Sequence, residues 1–481
     1  MKMTFTSGML LTVLATLVQA GEPDVTYARD IAPMMNQNCV ECHRPQQTAP
    51  FALQTYDQVR KRSRTIAAVI ESGFMPPWQA EGGDVPLHGE RRLTPAQVRL
   101  FKAWVTAGMP EGNESDLPPA PEFKSGWRLG EPDLVLEMSD AYVLPATGPD
   151  IYRNFVVPTG LEKARWLKAI EFRPDTPAVV HHSLFYLDTT GAARKADARE
   201  EDPGFAEMPL GQGIGKFLGG WVPGTHPLPL PEGLAHRLPA GADIVLSSHF
   251  HLTAKEEQER STIALYFGDE APTREFFGLQ LPPVFGAFAG LDIPAGEAKA
   301  HYRDSFELPV DVEAFGATAH AHYIGKSLRL TAKLPSGKDL VLLNLPDWDI
   351  SWQEEYRFVE PVILPAGTRL ISDIVWDNSA DNPNNPFSPP KRIHWGLESN
   401  DEMGSLTLMI SGQRGSDMKR LRERYSEHLR WQVGHHVLGP GKLEFADNLR
   451  KSALERFDTD GDGELNPEER SKARAFLKRN D

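Results

Sequence analysis

Two histidines, His320 and His322, stand two residues apart in "FGATAHAHYIGKSLRL" (315–330), a run that alternates as a β-strand does. Alternate strand side chains share a face, so both imidazoles point the same way. Such a pair is either two polar neighbours on a solvated strand or two metal ligands, since neutral imidazole is the commonest protein ligand for metals. Other histidines repeat the theme. His181 and His182 are adjacent in "PAVVHHSLFY", and His249 and His251 alternate in "LSSHFHLT". Met403 precedes the run "GSLTLMISG" far downstream. Singly, each has a bland reading, and a lone Met before a strand is ordinary core filler. Imidazole suits copper and zinc, whereas a set that includes a thioether favours copper, Cu(I) in particular. A hydrolytic zinc site would more commonly bring a carboxylate, as in H-E-x-x-H, and that motif is absent.

The chain has two cysteines, Cys39 and Cys42, and both precede His43 in "NCVECH". C-x-x-C-H is the attachment signature of c-type haem: each thiol forms a thioether and the adjacent His supplies the proximal iron ligand. The competing readings are a redox disulfide and an accidental arrangement. Met75, in "ESGFMPPWQ", is the candidate for the opposite axial position, where a thioether raises the haem potential. Met34 and Met35 lie too close before the attachment site. "LTPAQVRLFKAWVTAG" reads as a helix capped by Thr94, with Pro95 in its first turn, Gly108 after its end, and Val98, Phe101 and Val105 on its apolar face. Residues 25–113 resemble a small class I cytochrome c domain, closed by the linker "SDLPPAPEFKSG".

The elements that must position these groups follow from the rest of the chain. Its 481 residues call for about three domains. Hydrophobic content of 40% with 24% charged residues describes a globular protein. A net charge of -15 argues against a nucleic-acid partner. The opening "MKMTFTSGMLLTVLATLVQA" reads as an export signal cut after Ala20, with an uncleaved anchor as the alternative. Its apolar run is too short for a membrane span and no later one reaches ~18 residues, so the expectation is a periplasmic or secreted protein without stable membrane insertion. From 130 to 412, short runs such as "DLVLEM", "WLKAIEF", "ADIVLSSHFHL", "KSLRLTAKL" and "RLISDIVW" recur between Pro/Gly turns, the pattern of antiparallel β-sandwiches. The length calls for two, and the pattern is weakest near 271–285.

The tail "FDTDGDGELNPEER" matches an EF-hand loop: Asp458, Asp460 and Asp462 at positions 1, 3 and 5, Gly463 at the turn, Glu464 giving its carbonyl, and Glu469 as the bidentate last ligand. "FADNLRKSALERF" reads as its entering helix, with Phe445, Leu449, Ala453 and Phe457 every fourth residue. Without a second hand, one structural calcium that docks the tail is the expectation. The expected fold is multidomain and mainly β: a leader (1–20), a small α-helical cytochrome c-like haem domain (21–120), two antiparallel β-sandwiches (121–275 and 276–435) and a short helical EF-hand tail (436–481).

In their order, His181–His182, then "HFH", then "HAHYIGKSL", then "DEMGSLTL", these residues resemble the type II copper monooxygenases, the family of peptidylglycine α-hydroxylating and dopamine β-monooxygenases. The similarity spans 130–412 and includes "GWVPGTHPLPLPEG". It implies jelly-roll sandwiches and two separate coppers. His181, His182 and His249 match the ligands of the electron-transferring copper, and His320, His322 and Met403 match those of the oxygen-binding, hydroxylating copper. The first His of "SHFH" matches the family's position, which leaves His251 orienting or exposed. Adjacent strand residues point to opposite faces, so the strand must bulge or end at His181–His182, or the two rings must use different nitrogens, as they do in the family. The chain departs from the family in having no disulfides to form and in carrying Gly404 where the family has Cys. It also carries its own haem in place of ascorbate. The resemblance implies an exported copper monooxygenase that hydroxylates a C–H bond of a small organic substrate with O2. Electrons would pass from an external donor through one covalent haem c to two coppers. The alternative is a non-catalytic periplasmic redox relay or copper-binding electron-transfer protein. His226, His236, His394, His435 and His436 have no role in either reading.

Overall fold

The computed structural model describes residues 25–124, 126–208 and 214–437, and in the tail 454–461, 465–466, 468–469 and 472–473. The expected leader, Asp462, Gly463, Glu464 and most of the expected helix 445–457 lie outside these residues. The protein is mainly β, with few helices and several antiparallel sheets. Among the described residues no helix is long and apolar enough to cross a membrane.

The N-terminal unit is built on α1 (Ala32–Asn38), α2 (Tyr56–Glu71) and α3 (Pro95–Thr106). Both longer helices open with reciprocal capping, Thr55 with Gln58 and Thr94 with Gln97, which satisfies N–H groups the first turn would leave orphaned. The start of α3 is where Thr94 and Pro95 put it. Its buried face differs from the expected one: Phe101 and Trp104 are fully buried, while Val98 and Val105 are only partly so. The reason is the Trp104 indole, which packs on Tyr27 and Tyr56 and donates Nε1–H to the Pro110 carbonyl at 2.9 Å.

Two strand sets follow. The first holds β1 (Leu134–Glu137), β2 (Tyr142–Leu144), β3 (Ile151–Pro158), β4 (Arg165–Arg173), β5 (Val180–Asp188), β6 (Ile214–Trp221), β7 (His236–Leu238), β8 (Asp243–Phe250), β9 (Glu257–Glu259) and β10 (Thr262–Gly268), with the short helix α4 (Ala192–Asp197) after β5. The second holds β11 (Phe276–Leu281), β12 (Asp292–Ile293), β13 (Ala300–Glu307), β14 (Val312–Ala321), β15 (Gly325–Lys333), β16 (Asp339–Leu345), β17 (Glu355–Leu364), β18 (Arg369–Trp376), β19 (Ile393–His394) and β20 (Gly404–Gly412). In the first set the sheets run β1–β10–β4–β7 and β3–β8–β5–β6, with a β2–β9 ribbon. In the second they run β11–β20–β14–β17 and β13–β18–β15–β16, with a β12–β19 ribbon. Adding ten to every label turns one set into the other, so the chain repeats a single topology in tandem. Each pair of four-stranded sheets closes over one apolar core, an eight-stranded double-sheet arrangement. The weak stretch near 271–285 is where β11 begins.

Two attachments have no counterpart in the sequence reading. Helix α5 (Asp417–Val437) lays Met418 and Leu421 into the second core. A strap from the N-terminal unit does the same from the other end of the chain: Trp78, Ala80 and Val85 belong to that core, and Leu87 bridges to Phe358. The strap's main chain bonds to the second set through Glu81 N to Asn344 O and His88 N to Arg357 O, each 2.8 Å.

Candidate metal centres

The first centre lies where β5 and β8 pair. His182 stands opposite His249, and the register slips between Val180 and His182, so His181 is the extra residue of a bulge. A bulge re-aims a side chain that regular alternation would send to the other face. One ring nitrogen from each of His181, His182 and His249 lies within 4.8 Å of the others. In all three rings Nδ1 is buried without a hydrogen-bond partner. Buried polar atoms are nearly always paired, so three orphaned lone pairs at one spot fit a metal. The bulge removes the need for the two adjacent rings to use different nitrogens. Asp150 accepts from His249 Nε2–H and His251 Nδ1–H, each at 2.9 Å, and Tyr152 stacks on His249 at 4.2 Å between ring centroids. His251 itself faces solvent. Burial pushes His249 down to about 4 and lowers His181 and His182 as well, which keeps the imidazoles in the neutral, ligating form.

The second centre lies at the end of the β14·β20 ladder. The last pair is Ala321 with Gly404, so His322 and Met403 are the next residues on the two chains. His320 Nδ1–H donates to Gln353 Oε1 at 2.6 Å, and His322 Nδ1–H donates to the Asp401 carbonyl at 3.2 Å. Each ring is thereby oriented with Nε2 left as the free lone pair. The ring centroids are 5.2 Å apart. Burial lowers His320 and takes His322 down to about 3. His320, His322 and Met403 line one cleft of 2220 Å³ that also includes His182, Tyr152, Gln353 and Cys42. Gln353 spans the two centres, with its amide nitrogen 3.5 Å from His182 Nε2.

Glu402 ties the second centre together. Its fully buried carboxylate accepts from His322 N, Ile324 N, Trp376 Nε1 and Met403 N at 2.9–3.1 Å. Burial pushes this carboxyl up, to about 8, against the pull of those four donors. The same indole explains Gly404: a Cβ there would stand 2.6 Å from Trp376 Cζ2.

In the C-x-x-C-H segment both thiols are free and partly buried. Burial pushes Cys39 up to about 12 and raises Cys42. His43 donates Nδ1–H to the Phe51 carbonyl at 3.1 Å, leaving Nε2 free, the arrangement an axial ligand needs. Met75 is half-buried in the turn after α2, whereas Met34 and Met35 are packed in the core of the unit. Glu41, within the segment, binds Arg128 and sits 3.2 Å from His226 Nε2. In the tail, Asp458, Asp460 and Glu469 bring carboxylate oxygens within 4.8 Å of one another. Hydrogen bonds from Thr459 and Asn466 hold Glu469 down at about 2. Asp462 and Glu464 fall outside the described residues.

The sequence reading missed Asp150, Gln353, Trp352 and Glu402. Only Glu402 carried a signal, its place beside Met403 in "DEM". Of the histidines without a role, His236 is buried in the sandwich interface region against Phe276, and His394 lies 3.5 Å from Asp292.

No family model matches the chain, and no curated protein does. Among solved structures, PNGase F, a glycosylasparaginase from Flavobacterium meningosepticum, aligns over 58% of this chain and 96% of its own at 10% identity and a TM-score of 0.25. The major capsid protein P2 of bacteriophage PM2 covers 55% and 97% at 10% identity and 0.23. The infectious bursal disease virus VP2 subviral particle covers 61% and 75% at 10% identity and 0.17. Similarity at that level transfers neither fold nor activity to this chain.

Proposed function

We propose that this chain is an exported, copper-dependent monooxygenase that hydroxylates a C–H bond of a small organic substrate, with electrons entering through a covalent c-type haem. The observation that supports it most is the triad of buried, unpartnered Nδ1 atoms on His181, His182 and His249, of which His182 lines the same cleft as His320, His322 and Met403. When bound, two coppers supply one-electron redox chemistry and O2 activation, and the haem supplies electrons one at a time.

The chain's own residues divide the work. His181, His182 and His249 hold the first copper, with Asp150 fixing the His249 ring through Nε2–H. His320 and His322 hold the second, and the Met403 thioether favours its reduced form. Gln353, the Asp401 carbonyl and Glu402 set the tautomers and spacing of that set. Cys39, Cys42 and His43 would carry the haem and Met75 would supply a further ligand to it, and tethering the donor would keep its effective concentration high without an affinity of its own. Asp458, Asp460, Asp462, Glu464 and Glu469 hold a structural calcium.

Metal analysis of the exported protein should find two coppers and one calcium per haem. Oxygen uptake with a haem reductant should depend on added substrate, and Met403→Ala should abolish it while haem and first-site copper remain. Two coppers and a haem without substrate-dependent oxygen uptake would replace this reading with the non-catalytic redox relay.

A further inference from the structure

We infer that Trp352 is the residue through which an electron passes from the N-terminal unit to the His181–His182–His249 centre; the inference rests on the function proposed above. The loop 349–354 of the second strand set is the place where all three units meet. On one side the N-terminal strap grips it. Gln79 Nε2 donates to the carbonyls of Asp349 and Trp352, each at 2.8 Å, and Gln79 Oε1 accepts from Asp349 N at 2.9 Å. Arg91 makes a two-pronged pair with Glu354 at 3.0 and 2.8 Å, both side chains largely buried. Trp78 anchors the strap edge-on against Tyr356, 5.3 Å between centroids.

On its other side the loop meets the first centre. The Trp352 ring lies 5.4 Å from the His181 ring between centroids. Met75, the candidate axial ligand, is separated from Gln79 by Pro76, Pro77 and Trp78 alone. A continuous path therefore runs from Met75 along the strap to Gln79, across one hydrogen bond to Trp352, and by ring contact to His181. Its links are covalent bonds, one hydrogen bond to the Trp352 carbonyl and a tilted approach of the Trp352 and His181 rings at 5.4 Å between centroids. The competing route leaves from Cys42, which lines the same cleft as His182.

The step is a single electron transfer. Iron(II) of the haem becomes iron(III), copper(II) at the triad becomes copper(I), no bond to Trp352 forms or breaks, and no proton moves. Trp352 is thus a positioning residue for the transfer, binding neither the substrate nor the metal.

The test uses the full chain loaded with haem and copper. The haem is reduced photochemically, its reoxidation is followed by absorbance, and loss of the copper(II) signal is followed by EPR. The wild-type transfer should be fast and independent of protein concentration. Trp352→Leu should slow it about tenfold or more, equivalent to at least one decade in rate. Trp352→Phe should recover part of the rate because an aromatic ring still meets His181. Gln79→Leu, which leaves the indole in place but removes the bonds to the loop, should also slow it. An unchanged rate in both Trp352→Leu and Gln79→Leu, with haem and copper spectra intact, overturns the inference and favours the route from Cys42. Absence of any haem-to-copper transfer in the wild type would instead remove the proposed function on which the route depends.

Discussion

Replacing Glu402 by alanine should dismantle the second metal centre, and the cost can be worked from its four bonds. Oε1 accepts from Ile324 N, while Oε2 accepts from His322 N, Trp376 Nε1 and Met403 N. Alanine leaves four buried donors unsatisfied at about 1–3 kcal/mol each, so even the low end is about 4 kcal/mol. That approaches the whole stability of a marginal domain, about 5 kcal/mol. Glutamine keeps the shape and one carbonyl oxygen. Placed at the Oε2 position, that oxygen retains three donors, and the amide confronts only the Ile324 N–H. The expected cost is about 1 kcal/mol, the low end for one mismatched group. Urea unfolding of the metal-free variants, followed by copper counts on the loaded proteins, separates the two. The alanine protein should lose second-site copper and keep the first, and the glutamine protein should keep both. An alanine variant within about 0.5 kcal/mol of wild type and carrying both coppers would refute the role of Glu402.

Burial beside Lys216 and Arg357 drives His236 from its ordinary 6.5 down to about 3, so the stability this group contributes is present above 6.5 and lost as pH falls toward 3. The slope is at most about 1.4 kcal/mol per pH unit, and His236→Phe should flatten it in urea titrations between pH 6.5 and 4; an unchanged slope would contradict the burial argument. Gly404→Ala should cost about 1–3 kcal/mol and alter the near-ultraviolet tryptophan signal, because its Cβ displaces Trp376 from Glu402; a silent substitution would show that the indole has room. Arg91→Met should cost about 3–5 kcal/mol by leaving the buried Glu354 carboxylate alone, and adding Glu354→Gln should recover most of it in a double-mutant cycle. Additive losses in that cycle would mean the two side chains do not depend on each other.

What the sequence made legible was whatever local periodicity encodes. His320 and His322 could be placed on one face because a strand has period two, and the adjacency of His181 and His182 could be recognised as a conflict with that period. The bulge at Val180–His182 resolves it, but its position follows from pairing with β8, which no local pattern contains. Helix α3 was readable from Thr94 and Pro95, yet its buried face was not, because Trp104 is selected by Tyr27 and Tyr56 more than forty residues away in the chain. Glu402 is one acid among several in "LESNDEM" until four donors close on it. The strap reads as a Pro-rich loop, since what it buries, Trp78 and Val85, is covered by strands far downstream. Groups defined by long-range contact, such as Asp150 and Gln353, carry no local signal at all.

The tandem topology bears on how the candidate centres arose and how they work. If a metal site had been duplicated with the fold, equivalent strands would carry it in both copies. They do not. The first centre uses β5 and β8, whose counterparts are β15 and β18, and the second uses β14 and the entry to β20, whose counterparts are β4 and β10. What the two centres share is a direction: the β3–β8–β5–β6 sheet and the β11–β20–β14–β17 sheet meet across β6 and β17 and wall the common cleft. The separation of the centres is therefore set by packing between unlike sheets, with Gln353 reaching a histidine of each. The N-terminal strap docks on the second strand set, while the centre that receives electrons in the proposed scheme belongs to the first. Loop 349–354 joins the two, and so a change at Gln79 or Arg91 reaches the first centre without touching any of its ligands.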